Sequence, residues 1–293
     1  MANKTTTLGV IGGTGLYELE GLTNVEVLQI ETPFGSPSSP VTKGRLGQTE
    51  LLFIARHGIG HTISPSEINF RANIFALKTL GAEWCLSVSA VGSLKEECMP
   101  GHAVIPNQFI DRTKNRESSF FSNGIVAHVS FADPFCPTLR RVLLKAATLA
   151  NDSAERVIHD SGTYVVMEGP AFSTRAESQM YRSLGGTLIG MTNLPEAKLA
   201  REAEIAYATL ALVTDYDCWR SEAADVDISQ ILDTLKKNSS FGKEVVRELA
   251  KILPSETPSE LARNALRSAI LTAKEHIPEV LKKQLAPILS RYL

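Results

Sequence analysis

Short strand-forming runs, alternating with helical segments, most constrain how this chain can fold. Apolar runs rich in strand-forming residues stand at 7–11, 25–30, 49–55, 84–90, 103–110, 162–168, 187–191 and 210–213. Helical patterns separate several of them, and strands that alternate with helices are typical of an α/β protein. The 293 residues are enough for one large domain of this kind. We therefore predict a single α/β domain.

The predicted strands carry polar groups at the points where they end. These groups are Thr14, Arg56 with His57, Ser89, Met191 with Thr192, and Asp215 with Asp217. In an open α/β sheet, ligands bind at the carboxyl ends of the strands. Capping of turns does not readily account for so many polar strand ends, so the sequence predicts a ligand site there.

The segment LALVTDYDCW, 210–219, places two carboxylates directly after an apolar run. We predict that 210–213 forms a buried strand and that Asp215 and Asp217 lie where this strand runs into a loop. A buried carboxylate is costly unless it is paired or protonated, which would suit a catalytic role. The alternative is that Thr214 and Asp215 cap a turn while Asp217 is solvated.

The glycine-rich segment 12–15 follows the first predicted strand. Backbone N–H groups in such a turn can approach an anion closely, since no Cβ intervenes. One interpretation is a dinucleotide loop with Glu31 as the ribose acceptor, although Glu18 stands where the third glycine belongs. A second is a cradle for a single phosphate that uses Thr14 as a donor, and a third is a plain hairpin turn.

The segment RHGIGH, 56–61, offers either anion donors or metal ligands. Two histidines four residues apart would suit a metal-binding helix, but Gly58 and Gly60 disfavour a helix. We expect Arg56 and His57 to bind an anion, because the guanidinium fork matches phosphate oxygens. The alternative is a surface arginine beside a histidine in a turn.

Several further elements are predicted from local patterns. Pro65–Leu80 is expected to be a helix capped by Ser64, and 175–184 a helix capped by Ser173 or Thr174. The run 196–208 is expected to be helical, and 113–137 to be a long loop that contains His128. From residue 227 onward we predict helices, interrupted at 254–258.

Composition excludes some classes of function. A formal net charge of −2 argues against nucleic-acid binding, which needs a basic excess. The four cysteines form no CxxC pair, so neither a zinc site nor a disulfide framework is expected. No apolar run is long enough for a membrane span. We expect a soluble, cytoplasmic protein in a reducing compartment.

Six motifs together resemble the trimeric purine nucleoside phosphorylase family, and more narrowly the branch that acts on S-methyl-5′-thioadenosine. They are IGGTGL, RHGxxH, SVSAVGSL, MEGPAFSTRAE, GMTNLPEAKLAREA and TDYDCW, in this order between about residues 8 and 235. The resemblance implies an α/β fold with a central mixed β-sheet flanked by helices. It also implies one nucleoside phosphorylase domain over 1–293, with a helical C-terminal extension from about 255.

The resemblance implies phosphorolysis of the N-glycosidic bond, with inorganic phosphate as co-substrate and no metal or organic cofactor. The phosphate would be held by Thr14, Arg56, His57, Ser89, Ala90 and Thr192. The purine and ribose would meet Phe172, Ser173, Met191, Asp215 and Asp217, of which the two aspartates would be catalytic. The five-prime group would meet Ile228, Ile231 and the His128 of a neighbouring subunit, which implies a homotrimer with shared sites.

Three rival functions stay open at this point. A 6-oxopurine phosphorylase of the same fold carries Asn where Asp215 stands and Glu where Ser173 stands. A nicotinamide-dependent dehydrogenase would need the third glycine that Glu18 replaces. A non-catalytic nucleoside-binding module would lack a phosphate site, whereas every expected phosphate position here keeps a donor, even though Ser89 replaces a more usual threonine.

Overall fold

A large mixed β-sheet forms the centre of the molecule. The computed structural model describes residues 5–13, 16, 19–151, 154–220 and 228–293, with only the backbone described over 228–233. The strands are β1 Thr6–Gly12, β2 Thr23–Leu28, β3 Val41–Leu46, β4 Thr49–Ala55, β5 Trp84–Ser93, β6 Ala103–Val104, β7 Gln108–Arg112, β8 Ile158–His159, β9 Thr163–Met167, β10 Leu188–Gly190 and β11 Ala206–Tyr216.

Helices cover both faces of this sheet. They are α1 Phe70–Thr79, α2 Pro137–Leu149, α3 Arg175–Ser183, α4 Asn193–Glu202, α5 Ile228–Ile252, α6 Glu260–Arg263, α7 Glu279–Gln284 and α8 Ala286–Leu289, with 3₁₀ turns at Leu253–Ser255 and Lys274–His276. Leu8 and Val10 of β1 pack against α2 and α5, whereas Ile11 belongs to the core under α1 and α4. Alternate residues of one strand therefore serve opposite layers.

The sheet branches at β5. Its first half pairs in parallel with β1, and β11 pairs in parallel along its whole length. Near its end, Gly92 and Ser93 pair with β10, which runs antiparallel and leads to β9 and β7. On the other side β1 is parallel to β4. The carboxyl ends of β1, β4, β5 and β11 consequently meet at one edge, and β10 arrives from the opposite direction.

The predicted α/β architecture with a mixed sheet is confirmed, but several local predictions are wrong. The helix expected from Pro65 begins only at Phe70, because Glu67 N donates to Ser64 O in a turn and Asn69 caps the helix. The single strand expected over 103–110 is two strands, β6 and β7. The helix expected over 196–208 ends at Glu202, and β11 starts at Ala206.

The predicted helix over 175–184 and the long loop over 113–137 agree with the structure. Thr174 Oγ1 accepts from Glu177 N while the Glu177 carboxylate accepts from Thr174 N, a complete capping box. The segment beyond Ser255 is built from short helices and turns, and Leu266, Ile288 and Leu289 anchor it in the core. Among the described residues, no helix is long and apolar enough to cross a membrane.

Candidate active site

A cavity of about 640 Å³ lies at the edge where the strand ends meet. Most of the predicted site residues line it, namely Arg56, His57, Ser89, Ala90, Phe172, Met191, Thr192, Asp215 and Asp217. These residues come from five separate segments of the chain, and the branched sheet brings them together. The cavity is of the size that proteins use for small-molecule ligands.

The remaining predicted residues lie elsewhere or outside the described part of the chain. Ser173 is buried beside the cavity, and its hydroxyl is 3.6 Å from Met167 Sδ. His128 is exposed and does not line this cavity. Thr14 and the side chains of Ile228 and Ile231 lie outside the described residues.

A β-bulge directs Asp215 into the cavity. Val213 pairs with Val91 and Asp215 with Gly92, so Thr214 is an extra residue in β11. The predicted end of this strand at residue 213 is wrong, because β11 continues to Tyr216 and therefore includes Asp215. A Cβ at Gly92 would come within 3.2 Å of Asp215 Oδ1, so glycine leaves room for the carboxyl group.

Asp215 and Asp217 sit in different environments. Burial raises the pKa of Asp215, and the nearby Asp217 charge adds to the effect, while a 2.6 Å hydrogen bond from Thr214 Oγ1 opposes it. Asp217 is 9% exposed, and its Oδ2 has no hydrogen-bond partner among the described residues. One carboxyl group is thus biased toward its protonated form, and the other offers a free acceptor.

Arg56 is buried and bound to an acidic partner that the sequence interpretation missed. Its Nε donates to Glu196 Oε2 at 2.9 Å and its Nη2 to Glu196 Oε1 at 3.2 Å. Burial alone would lower the pKa of Arg56, but the Glu196 carboxylate more than offsets this and raises it. Nη1 donates to Val88 O at 3.1 Å. Glu196 lies in a helical run, where a glutamate gives no sign of burial.

His57 is neutral at pH 7. Its Nδ1 is 2.9 Å from Ile63 O, and a carbonyl can only accept, so Nδ1 carries the proton and Nε2 a lone pair. Burial lowers the pKa of His57 to about 4. Gly58 has a φ of 72° and His61 of 58°, so this segment is a turn and no metal-binding helix. The described residues contain no group of three acidic, His or Cys side chains placed to hold a metal ion.

A buried polar network lies behind Ser89. Ser89 Oγ donates to Asn193 Oδ1 at 2.8 Å, and Asn193 Nδ2 donates to Tyr207 OH at 2.8 Å. Tyr207 OH donates in turn to Glu196 Oε1 at 2.8 Å. Sequence reasoning did not identify Asn193 or Tyr207, because their roles depend on contacts between α4, β5 and β11.

Arg116 is a further residue that the sequence interpretation missed. It lies in the long loop, and its Nη1 donates to Met191 O at 2.7 Å and to Leu194 O at 2.8 Å. Its Nε donates to Glu168 Oε2 at 3.0 Å. The arginine therefore ties the ends of β9 and β10 together and fixes the backbone around Thr192.

Comparison with known proteins defines the class to which this fold and cavity belong. Residues 7–251 match the phosphorylase superfamily. Since the match covers most of the chain, the chain belongs to the phosphorylase superfamily, and the predicted family resemblance is confirmed.

The relatives narrow the comparison further. A protein of Thermosynechococcus vestitus called S-methyl-5′-thioadenosine phosphorylase is 53% identical over 99% of this chain and 100% of its own. A methylthioadenosine phosphorylase from an antarctic soil metagenomic library has a crystal structure that is 48% identical, with a TM-score of 0.93 over 98% of this chain and 100% of that one. A mutant adenosine/methylthioadenosine phosphorylase of Schistosoma mansoni, solved with methylthioadenosine, is 34% identical with a TM-score of 0.80 over 97% of this chain and 98% of that one.

Proposed function

We propose that this chain catalyses the phosphorolysis of S-methyl-5′-thioadenosine to adenine and 5-methylthioribose 1-phosphate. One observation carries the proposal: a single cavity contains both the Asp215–Asp217 pair and a group of polar residues, namely Ser89 within β5 and Arg56 and His57 directly after β4. Ser89 and Gly92, which pairs with Asp215 of β11, are three residues apart on β5, or about 10 Å. That separation fits a nucleoside lying between a base site and an anion site. The full-length relatives with the same activity in their names support it.

The anion end of the site would bind inorganic phosphate as co-substrate. Thr14, Thr192, the backbone of Ala90 and Arg56 would donate to the phosphate oxygens. Ser89 and His57 would also contact the phosphate, Ser89 through its hydroxyl oxygen and His57 through the lone pair of Nε2. Arg56 is largely occupied by Glu196, so it would contribute through the part of its guanidinium group that reaches the cavity. Met191 would pack under the ribose that lies between phosphate and base.

The base end would recognise adenine through two carboxyl groups. A protonated Asp215 can donate to the imidazole-ring nitrogen of the purine and accept from the exocyclic amino group with its other oxygen. Asp217 Oδ2 offers the acceptor that a second amino hydrogen needs. Phe172, which is 85% exposed, would cover the base together with Ser173.

These groups suit the charge that develops when the C–N bond breaks. The sugar becomes positive and the purine negative, so a positioned phosphate acts as both nucleophile and counter-charge. Asp215 would stabilise the leaving purine by donating its proton, which requires a raised pKa such as burial produces here. In this scheme no metal ion or organic cofactor takes part.

The five-prime end of the substrate would lie against α5 and a neighbouring subunit. Ile228 and Ile231 would form an apolar pocket for the methylthio group. Such a pocket should bind a methylthio group more favourably than a hydroxyl group, by about 1–3 kcal/mol of binding free energy. Ile228→Asn should then narrow the preference for methylthioadenosine over adenosine. His128 is exposed and outside its own cavity, as expected for a residue that completes the site of the next subunit in a cytoplasmic homotrimer.

The direct test is an assay of adenine release from methylthioadenosine with and without inorganic phosphate. We expect release that saturates with phosphate and stops when phosphate is removed. Release without phosphate would indicate a hydrolase, and no release from any adenine nucleoside would refute the proposal. A 6-oxopurine phosphorylase would instead release hypoxanthine from inosine, but Asp215 is unsuited to a 6-oxo group.

A further inference from the structure

A chain of buried hydrogen bonds runs from the Arg56–Glu196 ion pair to Ser89. This chain determines the direction in which the Ser89 hydroxyl donates its proton. Glu196 is fully buried and accepts from Arg56 through both carboxylate oxygens. A carboxylate in such a pair is an acceptor only. Tyr207 OH, 2.8 Å from Glu196 Oε1, must therefore donate its proton to Glu196.

The orientation of the Asn193 amide follows from this. With its proton committed to Glu196, the Tyr207 oxygen can only accept from Asn193, which lies 2.8 Å away. Turning the amide would place two oxygens without a proton between them at that distance. Asn193 therefore directs its NH₂ toward Tyr207, and its Oδ1 faces Ser89.

Ser89 must then donate to Asn193 Oδ1, at 2.8 Å. A serine hydroxyl has one proton and two lone pairs, so its remaining capacity toward the cavity is that of an acceptor. The buried Tyr164 hydroxyl has no hydrogen-bond partner among the described residues, and it lies close enough to Ser89 and Thr192 to interact with both. If it donates to one lone pair of Ser89, the second lone pair is still available to the cavity. The oxygens of an anion without a hydrogen would be repelled by the lone pairs of Ser89 Oγ. An anion with a P–OH group would instead donate a hydrogen bond to Ser89 Oγ.

From this geometry we infer that the anion site selects monohydrogen phosphate through its P–OH group, which donates to Ser89 Oγ. The inference rests on the proposed phosphate site and adds the protonation state of its ligand. Among the described residues that line the cavity, Arg56 carries the only guanidinium or ammonium group, and Glu196 already neutralises it. Hydrogen-bond matching, rather than net charge, thus decides which oxyanion is held.

The test compares phosphate with sulfate, which has the same size and charge in mildly alkaline buffer but no hydrogen to donate. Affinities of the ligand-free protein are measured by calorimetry with sodium phosphate and sodium sulfate. The wild-type protein should bind phosphate at least about 10-fold more tightly than sulfate, because one hydrogen bond to a charged group has an effect of this size. Equal affinities, in a protein whose adenine release depends on phosphate, would overturn the inference and leave the proposed function intact.

Two variants assign the selectivity to Ser89. Ser89→Ala should weaken phosphate about 10-fold while sulfate changes less than about 2-fold, because only the P–OH bond is lost. Thr192→Val is the matched control, since a hydroxyl that donates to either anion leaves the ratio of affinities unchanged. If Ser89→Ala weakens both anions equally, Ser89 is a donor and the inference is wrong.

A third variant tests the chain of hydrogen bonds behind Ser89. Tyr207→Phe removes the oxygen that fixes the Asn193 amide but keeps the buried ring. The phosphate-to-sulfate ratio should then fall between those of wild type and Ser89→Ala. A phosphate-to-sulfate ratio equal to that of wild type would show that Tyr207 does not position Asn193, and would overturn the proposed chain of hydrogen bonds.

Discussion

Arg56 Nε lies 2.9 Å from Glu196 Oε2, and this buried ion pair joins the end of β4 to α4. The two residues are 140 positions apart, so the contact exists only in the folded chain. Neither side chain is more than 3% exposed. Removal of one partner would leave the other as an uncompensated charge in the core, which is among the costliest defects a fold can contain.

Arg56→Ala should therefore lower the free energy of unfolding by about 3–5 kcal/mol, as well as raise the phosphate requirement. Chemical denaturation measures the first effect, and phosphate saturation the second. Lys198→Ala, which breaks the partly exposed pair with Asp111 at the surface, is the control and should cost less than about 1 kcal/mol. In the double variant Arg56→Ala with Glu196→Ala, the loss should be smaller than the sum of the single losses. A stable Arg56→Ala protein with unchanged phosphate saturation would contradict both roles.

Asp215→Asn should reduce turnover of methylthioadenosine about 100-fold or more, the effect of one catalytic donor. Its amide can meet a 6-oxo group, so some activity on inosine should emerge and should increase when Ser173→Glu is added. Measurement of kcat/KM on both nucleosides checks this. Full activity of the single variant on methylthioadenosine would mean that Asp215 does not recognise the base.

The pH profile gives an independent test of the protonated Asp215. Burial raises its pKa, and catalysis uses the protonated form, so kcat/KM should fall as pH rises through that pKa. Thr214→Val removes the hydrogen bond that opposes this shift, so the descending limb should move to higher pH. If the descending limb stays at the same pH in Thr214→Val, a group other than Asp215 causes the loss of activity at high pH.

His57 should make the fold less stable in acid. Burial lowers its pKa to about 4, below the value near 6.5 expected in the unfolded chain. Between these values the unfolded chain binds the extra proton, so stability is fully present above about pH 6.5 and decreases as pH falls toward 4. His57→Gln should flatten the dependence of the unfolding free energy on pH in that window. An unchanged slope would show that His57 titrates alike in both states.

His128→Ala should raise the KM for methylthioadenosine more than the KM for phosphate, because the partner's His128 is proposed to close the five-prime end. His276→Ala is the control, since His276 is also exposed and stands outside the proposed site. Sedimentation should give a trimer for wild type and both variants. A fully active monomer would exclude shared sites.

The sequence predicted which strands bring polar groups to the cavity, because each depends on a local pattern of apolar residues followed by glycine or polar groups. It placed the ends of two of them too early, since β5 continues to Ser93 and β11 to Tyr216. Ser89, Thr192 and Asp215 all follow such runs, and all three line the cavity. The bulge at Thr214 was not predictable, because it depends on the pairing of β11 with β5.

Contacts between distant segments account for the rest of what the sequence missed. Glu196 has the pattern of a helix surface residue, yet it is fully buried because Arg56 and Tyr207 surround it. Contacts with a distant segment also explain why 203–208 is not helical, although its local sequence pattern is. Ala206 and Ala208 pair with β5, and burial in the sheet outweighs their local helix preference.

The phosphorus NMR spectrum of the reaction tests the central claim most directly. Enzyme, methylthioadenosine and inorganic phosphate should give a new sugar 1-phosphate resonance, with one equivalent formed for each adenine released. Asp215→Asn under the same conditions should give neither product at a comparable rate. Adenine released without a new phosphorus resonance would mean that water is the nucleophile, and would contradict phosphorolysis.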